Sequence, residues 1–420
     1  MSCIRQSRNL RTDCEQPDMA NAWKNVSLGD VAALDIELVP VLPEKRYRVA
    51  GVLNAGQGML SRASISGSET NYRALHKLRT GQLVMRKLTA WEGPITVVPH
   101  EFDGFVASPE FPTFTLDEAQ ILPDYMRLVC QRPELWNQMQ DRATGTVQRR
   151  KRVNPSQLLQ VTFALPPLSE QQRVVALIDD VDACLQRARE TVEGVSALAR
   201  SLRDSHFSSA QGTLVRAGDF FEITMGRQRS PKHAEGDHMI PYLRSANVKD
   251  GRLELEDVKA MNFTPTEQSK YALRDGDVLI SEGCGSLDQL GAAAQWFGNG
   301  EVVCFQNTLL RLRERPEVSS SCYANQWARY EFESGGFAAI ASGTNIFHIG
   351  AERAVEMPVR PTTLEDQASF VATVESADQM TTAARNEIAA LVALRSALLE
   401  ELLSGSRETQ DRPSPVQELA

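Results

Sequence analysis

The hydrophobic positions between residues 166 and 210 recur in alternating steps of four and three. They are Val174, Ile178, Val181, Leu185, Ala188, Val192, Val195, Ala199 and Leu202. This heptad pattern is typical of a helix that packs on one other helix. Pro166 and Pro167 prevent an earlier start, and Ser169 with Gln172 predicts a capping box at the N-terminus. The stretch therefore predicts one long helix that needs a helical partner.

The same pattern returns near the C-terminus, between residues 361 and 405. The repeating positions are Phe370, Val374, Ala377, Thr381, Ala384, Ile388, Leu391, Leu398 and Leu402, and Arg395 is the one break. Residues 168–171 (LSEQ) match residues 364–367 (LEDQ) in register. Two matched helices about 195 residues apart predict an antiparallel coiled coil with a globular domain at each end.

The regions before the two helices are versions of one plan. The matching segments are 28–30 with 217–219, 78–84 with 273–279, and 144–146 with 342–344. The predicted fold class is α+β: two mixed α/β domains joined by two long helices that form an antiparallel coiled coil, with a pseudo-twofold internal repeat. The predicted boundaries are a disordered arm at 1–20, a first domain at 21–165, a central helix at 166–210, a second domain at 211–360, a distal helix at 361–405 and a flexible tail at 406–420.

Composition narrows the class of protein. The net charge of -9 argues against a uniformly basic protein, but it leaves room for a local patch that binds phosphates. No run of eighteen apolar residues predicts a membrane span. The seven cysteines form no C-x-x-C pair, which is typical of reduced thiols in a cytoplasmic protein.

The motifs of catalysis are incomplete. Residues 283–286 are glycine-rich but lack the lysine of a phosphate-binding loop. Residues 154–157 (NPSQ) lack the second proline and the aromatic residue of an amino-methyltransferase loop. His233 and His238 form a candidate metal pair, but no third ligand cluster lies nearby in the sequence, so we interpret them as loop residues. We therefore expect no catalytic, cofactor-binding or metal-binding residue in this chain.

Basic and amide residues are concentrated in equivalent parts of the two domains. Lys and Arg neutralise phosphates, while Arg, Asn and Gln have the geometry to contact base edges. The predicted DNA-binding residues are Arg86, Lys87, Thr146, Arg149, Arg150, Lys151, Arg152, Arg227, Arg229, Lys232, Arg244, Asn247 and Asn345. Two domains that carry such residues and are held at a fixed separation predict a double-stranded DNA target that consists of two half-sites.

Four segments carry a resemblance to a known family. They are residues 164–173 (ALPPLSEQQR), their degenerate copy at 357–367 (MPVRPTTLEDQ), residues 27–30 (SLGD) and residues 240–248 (IPYLRSANV). Together with the heptad helices, they make the chain resemble the specificity subunit of Type I restriction-modification systems over about residues 23–405.

The resemblance implies that each domain is a target recognition domain and that the coiled coil sets the gap between half-sites. It also implies docking of two modification (methyltransferase) subunits, which carry S-adenosylmethionine, and through them of restriction subunits. Such a complex defends a cell against foreign DNA, and the specificity subunit itself is not an enzyme.

The sequence leaves three alternatives open. The chain could serve a related system in which one fused restriction-modification polypeptide uses a separate specificity subunit. It could be a DNA methyltransferase in its own right, although the absent cofactor motif argues against this. It could also be a scaffold in which the coiled coil joins proteins and the basic loops are incidental.

Overall fold

A computed structural model describes residues 23–145, 151–208, 213–298 and 300–404. The predicted arm at 1–20 and tail at 406–420 lie outside the described residues. The chain divides into unit 1, residues 1–186 with 389–420, and unit 2, residues 187–388. Each unit has its own hydrophobic core.

Unit 1 is rich in short strands because Gly, Pro and polar clusters interrupt its apolar runs. The strands are β1 (Lys24–Ser27), β2 (Ala32–Leu34), β3 (Glu37–Pro40), β4 (Arg46–Tyr47), β5 (Ala50–Val52), β6 (Met59–Ser61), β7 (Ile65–Ser66), β8 (Ala74–Lys77), β9 (Leu83–Met85), β10 (Ile95–Val97), β11 (Val106–Ala107), β12 (Thr113–Leu116) and β13 (Thr162–Leu165). The α-helices before the first long helix are α1 (Leu28–Val31), α2 (Pro123–Val129), α3 (Pro133–Arg142) and α4 (Pro155–Leu158).

The largest sheet of unit 1 is antiparallel, in the order β10-β9-β12-β2. Helices α2 and α3 supply much of the core around it. The apolar pattern of residues 122–139 predicts a single helix, but in the structure Pro133 starts a second one. Proline lacks an N–H and disfavours a helical conformation in the residue before it.

The first long helix, α5 (Leu168–Phe207), lies within the stretch that carries the heptad pattern. The predicted N-cap at Ser169 is wrong, since the helix already begins at Leu168. The N–H groups of Glu170 and Gln171 both donate to the carbonyl of Pro167 at 3.0 Å, so Ser169 lies inside the first turn.

Unit 2 has the same plan with different loops. Its strands are β14 (Val215–Arg216), β15 (Phe221–Met225), β16 (Met239–Leu243), β17 (Val248–Lys249), β18 (Arg252–Leu253), β19 (Lys259–Asn262), β20 (Val278–Ser281), β21 (Gly283–Cys284), β22 (Ala293–Gln295), β23 (Cys304–Phe305), β24 (Leu309–Glu314), β25 (Phe347–His348) and β26 (Pro358–Val359). Its own α-helices are α6 (Ala217–Phe220), α7 (Pro265–Tyr271), α8 (Ser321–Glu333), α9 (Gly336–Ala339) and α10 (Ala351–Val355).

The main sheet of unit 2 repeats the order found in unit 1. Strands β22-β20-β24-β15 correspond to β10-β9-β12-β2, and both sheets are antiparallel throughout. A terminal pair also recurs, β1 with β13 in unit 1 and β14 with β26 in unit 2. The internal repeat inferred from the sequence is therefore visible in the strand topology.

The second long helix, α11 (Leu364–Leu403), packs antiparallel to α5 within each unit. In unit 1, Leu402 and Leu403 join the core that contains Val174 and Ile178. In unit 2, Val374 and Ala377 pack with Ala199. The heptad positions are buried or half-buried along both helices, as a two-helix seam requires. No helix among the described residues is long and apolar enough to cross a membrane.

A buried glutamine fastens each long helix to its unit. In unit 1, the Gln171 side chain accepts a hydrogen bond from the Leu122 N–H (2.8 Å) and donates to the carbonyls of Gln120 and Pro166 (2.8 and 2.9 Å). In unit 2, Gln367 accepts from the Ser320 N–H (2.9 Å) and donates to the carbonyls of Val318 and Thr362 (2.8 and 3.2 Å). Leu122 and Ser320 are the N-cap residues of α2 and α8, so equivalent helices are held by equivalent contacts.

Candidate nucleic-acid interface

Several predicted segments of unit 2 meet at the turn formed by residues 306–308, which we call the unit 2 hub. The Asn307 N–H donates to the Arg227 carbonyl at 3.0 Å. The Ser245 N–H donates to Thr308 Oγ1 at 3.1 Å, and the Glu282 N–H donates to the Thr308 carbonyl at 2.9 Å. The hub thus joins the loop after β15, the turn after β16 and the end of β20.

A β-hairpin lies beside this hub. Strand β21 pairs with β25, a bridge joins Ser342 to His348, and residues 343–346 form the exposed tip that carries Asn345. Under the tip, the Arg353 guanidinium donates to Ser342 Oγ (2.9 Å) and to the His348 carbonyl (2.7 Å). The buried Glu282 carboxylate is bonded to His348 Nδ1 (3.0 Å) and to the Gly350 N–H (3.2 Å). These contacts fix the base of what we call the unit 2 hairpin.

Three of the predicted DNA-binding residues of unit 2 are engaged within the protein. The buried Arg227 pairs with Glu267 at 2.8 Å and stacks on Phe263, and it donates to a backbone carbonyl. Arg244 pairs with Asp257. Asn247 is 2% exposed, and its amide donates to the carbonyls of Glu254 (2.8 Å) and Asp257 (3.2 Å). These three side chains shape the loops of this end of unit 2.

The other two cations of unit 2 are open to solvent. Arg229 and Lys232 are exposed, and neither pairs with an acidic side chain within the described part of the chain. The loop that carries them follows Arg227, which the hub holds in place. They are therefore the cations of this end that could contact phosphate without first breaking an ion pair.

Unit 1 presents an equivalent hairpin base. A bridge joins Thr144 to Arg152 and another joins Leu88 to Arg152, and the Lys87 N–H donates to the Glu110 carbonyl at 2.9 Å. These contacts correspond to the Ser342–His348 bridge, the β21–β25 pairing and the Glu282–Thr308 bond of unit 2. The unit 1 counterpart of the hub is therefore residues 108–110 (SPE).

The predicted cations of unit 1 differ in how far they are engaged. Arg86 donates to the Leu88 carbonyl (2.9 Å) and pairs with Glu92 (3.0 Å), and Arg152 pairs with Glu110 (3.2 Å). Lys87 and Lys151 are half-buried, with no side-chain partner among the residues that the structure describes. Thr146, Arg149 and Arg150 lie outside the described residues.

Sequence reasoning missed a set of arginines in unit 1. Arg46, Arg48 and Arg62 are exposed on paired segments around β4 to β7, and none forms an ion pair with a described residue. Arg46 donates to the Ser64 carbonyl at 3.1 Å, and Arg48 stacks on the ring of Phe105. We call these three residues the unit 1 arginine patch. Its signal in the sequence is the alternation around the buried Tyr47, which turns both flanking arginines outward.

No group of His, Cys, Asp or Glu side chains within the described ranges has the arrangement of a metal site. Unit 2 instead presents open cations, an exposed amide and a hairpin with a fixed base, and the described part of unit 1 presents exposed arginines, which are features of a binding surface. Such a surface can neutralise phosphates and present amides to base edges.

Comparisons of the sequence with known proteins find relatives among specificity subunits. No family model matches the chain. It is 20% identical over 286 residues to the Type I restriction enzyme StySPI specificity subunit of Salmonella potsdam, covering 62% of this chain and 60% of that subunit. It is 22% identical over 157 residues to the EcoKI specificity subunit of Escherichia coli K12, covering 33% of each chain. The chain therefore matches less than two thirds of the length of these relatives.

Solved structures extend the likeness to nearly the whole fold. A chain from a study of complex assembly and conformational transition in the type I R-M system matches with a TM-score of 0.61 at 20% identity, covering 92% of this chain and 98% of that one. The Type I S subunit from M. genitalium matches with a TM-score of 0.51 at 14% identity, covering 94% and 99%. The resemblance to Type I specificity subunits is confirmed. The predicted fold class, two mixed domains with two long helices, is confirmed as well.

Proposed function

We propose that this chain is the DNA sequence-specificity subunit of a Type I restriction-modification complex. Unit 1 and unit 2 each contribute one target recognition domain, and each domain reads one half of a bipartite double-stranded DNA target. The observation that carries the proposal is the repeated plan. The same sheet order, the same glutamine contact and an equivalent hairpin base recur in the two units, while the residues of the hub and its unit 1 counterpart differ. A repeated fold with different loops is what we expect of two domains that both recognise DNA but bind different sequences.

The chain acts in this proposal by binding, without catalysis. Two modification subunits dock on the long helices, carry S-adenosylmethionine and methylate the target, and restriction subunits join through them. The complex works in the cytoplasm, where it meets incoming DNA. The sequence similarity to the StySPI and EcoKI specificity subunits supports this assignment.

The test is methylation sequencing of DNA from cells that express the chain together with the methyltransferase subunit encoded beside it. We expect a methylated motif with two specific halves and a gap of fixed length, and we expect it to vanish when the chain is omitted. Methylation that persists without the chain, or S-adenosylmethionine binding by the isolated chain, would contradict the proposal. A complex that assembles and yields no motif would favour a scaffold.

The long helices set the gap between the two halves of the target in this proposal. Removing one heptad from each helix at matched positions shortens each by about 10 Å, at roughly 1.5 Å per residue. That length corresponds to about three base pairs, at roughly 3.4 Å each. We expect a shorter gap with both halves unchanged. An unchanged gap in an assembled complex would show that the helices are not the spacer.

A further inference from the structure

Three amide side chains at the hub end of unit 2 are open to a ligand. Gln306 and Asn307 are half-buried and Asn345 is exposed, and their side chains have no hydrogen-bond partner in the described ranges. Their position is nevertheless fixed by the backbone. The Gln306 N–H donates to the Leu243 carbonyl at 2.9 Å, and the Asn307 N–H donates to the Arg227 carbonyl at 3.0 Å.

Other amides in comparable places are used within the protein. Asn247 satisfies two backbone carbonyls, and Gln367 bonds three backbone groups. A half-buried amide without a protein partner keeps its donor and acceptor for another molecule. The side-chain amides of Gln306 and Asn307 therefore differ from those of Asn247 and Gln367, because their donor and acceptor groups have no hydrogen-bond partner among the described residues.

The hairpin adds an apolar contact beside these amides. Ile346 is 56% exposed and follows Asn345 at the tip, although the hairpin base is clamped by Arg353 and Glu282. Because the base of the hairpin is held in place, little conformational entropy is lost when its exposed aliphatic side chain contacts a partner. An amide next to an aliphatic group matches the edge of an A·T pair, which offers adenine N6 and N7 and the thymine methyl group.

We propose that Gln306, Asn307 and Asn345 read base edges in the half-site bound by unit 2, with Ile346 against a thymine methyl. This inference rests on the proposed function, and it specifies which side chains of unit 2 contact the bases. The amides carry no charge, so they contribute to sequence discrimination more than to phosphate binding. Arg229 and Lys232, on the loop that the hub holds, supply the phosphate contacts.

The described residues of unit 1 do not repeat the amides of the unit 2 hub. The positions that correspond to the hub are residues 108–110 (SPE), which contain no amide side chain. Glu110 there is already paired with Arg152. Among the described residues, the amide pair of the hub is therefore found in unit 2 and not at the equivalent positions of unit 1, and this difference makes the inference testable within one molecule.

The experiment substitutes Gln306→Ala, Asn307→Ala and Asn345→Ala singly in the full chain and determines the methylated motif of the assembled complex. We expect each change to reduce discrimination at one or two base pairs of one half, by roughly ten- to a hundredfold. The other half and the gap length should stay the same. Asn307→Asp replaces the side-chain NH2 donor by an oxygen at nearly constant volume, and it should also reduce discrimination between bases in the motif. Asn137→Ala, which removes an exposed amide on α3 of unit 1, is the matched control and should change nothing.

The outcomes separate this inference from the function on which it rests. A wild-type chain without a bipartite motif contradicts the proposed function and removes the inference with it. A wild-type motif that all four hub and hairpin variants preserve overturns the inference alone. Relaxation of both halves by the alanine variants would also overturn it, because that result indicates a general loss of affinity. Comparable yields of purified complex exclude misfolding as the cause of a relaxed motif.

Discussion

The two units hold their long helices by the same glutamine contact and by ion pairs that are built from different residues. Gln171 and Gln367 bond the backbone next to equivalent helices. Farther on, unit 1 uses a partly exposed pair in which Arg395 binds both oxygens of Asp182 at 2.5 and 3.0 Å. Unit 2 uses Arg203, 1% exposed, which binds Glu333 at 2.6 and 2.8 Å.

The difference follows from what each contact needs. A glutamine that bonds backbone groups depends on the chain path alone, so it survives when neighbouring side chains diverge. An ion pair needs both partners, and its strength depends on burial, so the two repeats are free to build it from different positions. The same contrast applies to the hubs, where the backbone bonds recur but the side chains differ.

The largest expected effect comes from the buried arginine of unit 2. Arg203→Met leaves the Glu333 carboxylate unpaired in a largely buried site, which costs about 3–5 kcal/mol of unfolding free energy. Arg395→Met in unit 1 leaves a partly exposed carboxylate, so we expect a loss of about 1–2 kcal/mol. Urea unfolding of the purified chain measures both. Equal losses would contradict the role assigned to burial.

Rescue distinguishes the ion pair from packing. The double variant Arg203→Met with Glu333→Leu removes both charges, and it should recover most of the stability that Arg203→Met alone removes. No recovery would mean that the destabilisation arises from packing of the arginine stem.

A pH dependence should belong to unit 2. Burial raises the pKa of the Glu331 carboxyl to about 7, against an ordinary value of 4.5. The folded state therefore keeps this proton while the unfolded chain loses it, and stability falls as the pH rises from about 4.5 to about 7. Glu331→Gln should match the wild type near pH 4 and exceed it at pH 8 by on the order of 3 kcal/mol. Unfolding curves at several pH values check this, and a constant difference across them would contradict it.

The glutamine contacts should be equivalent in the two units. Gln171→Ala and Gln367→Ala each leave buried backbone groups unpaired, at about 1–3 kcal/mol. The local readout is hydrogen exchange at the Leu122 and Ser320 N–H groups, which should become faster only in the unit that carries the substitution. Slow exchange in both variants would show that the side-chain bond does not protect these amides.

The smallest expected free-energy change is a loss of DNA affinity, which we expect to appear as a change in the salt dependence of DNA binding. Replacing Arg46, Arg48 and Arg62 by alanine should lower the slope of log affinity against log salt by about 0.9 for each phosphate that is no longer neutralised. Arg152→Ala, in which a paired arginine is removed, should change the slope less. A slope that the triple variant leaves unchanged would exclude the unit 1 arginine patch from the DNA interface.

The sequence predicted the parts of the fold that depend on periodicity. The two long helices, their antiparallel pairing and the repeat all follow from heptad spacing and matched segments. The helix start at Leu168 and the break at Pro133 were missed because they depend on local backbone bonds and on a proline within an apolar run. The Arg395 break in the heptad pattern is explained by its bonds to Asp182 and Gln131, which both lie more than 200 residues away in the chain.

The candidate site was harder to predict for a related reason. Residue type identifies a cation, but its availability depends on partners that are distant in sequence. Arg227 is engaged by Glu267, and Arg86 by Glu92 and the backbone around Leu88. The arginine patch and the hub amides became apparent only from the absence of such partners among the described residues.

The central claim is that the two units are separate readers of one divided target. The direct test exchanges residues 213–360 for the corresponding segment of another specificity subunit and compares the methylated motif with that of the wild-type chain. We predict that one half of the motif changes while the other half and the gap length stay the same. A change in both halves, or an unaltered motif in an assembled complex, would contradict the claim.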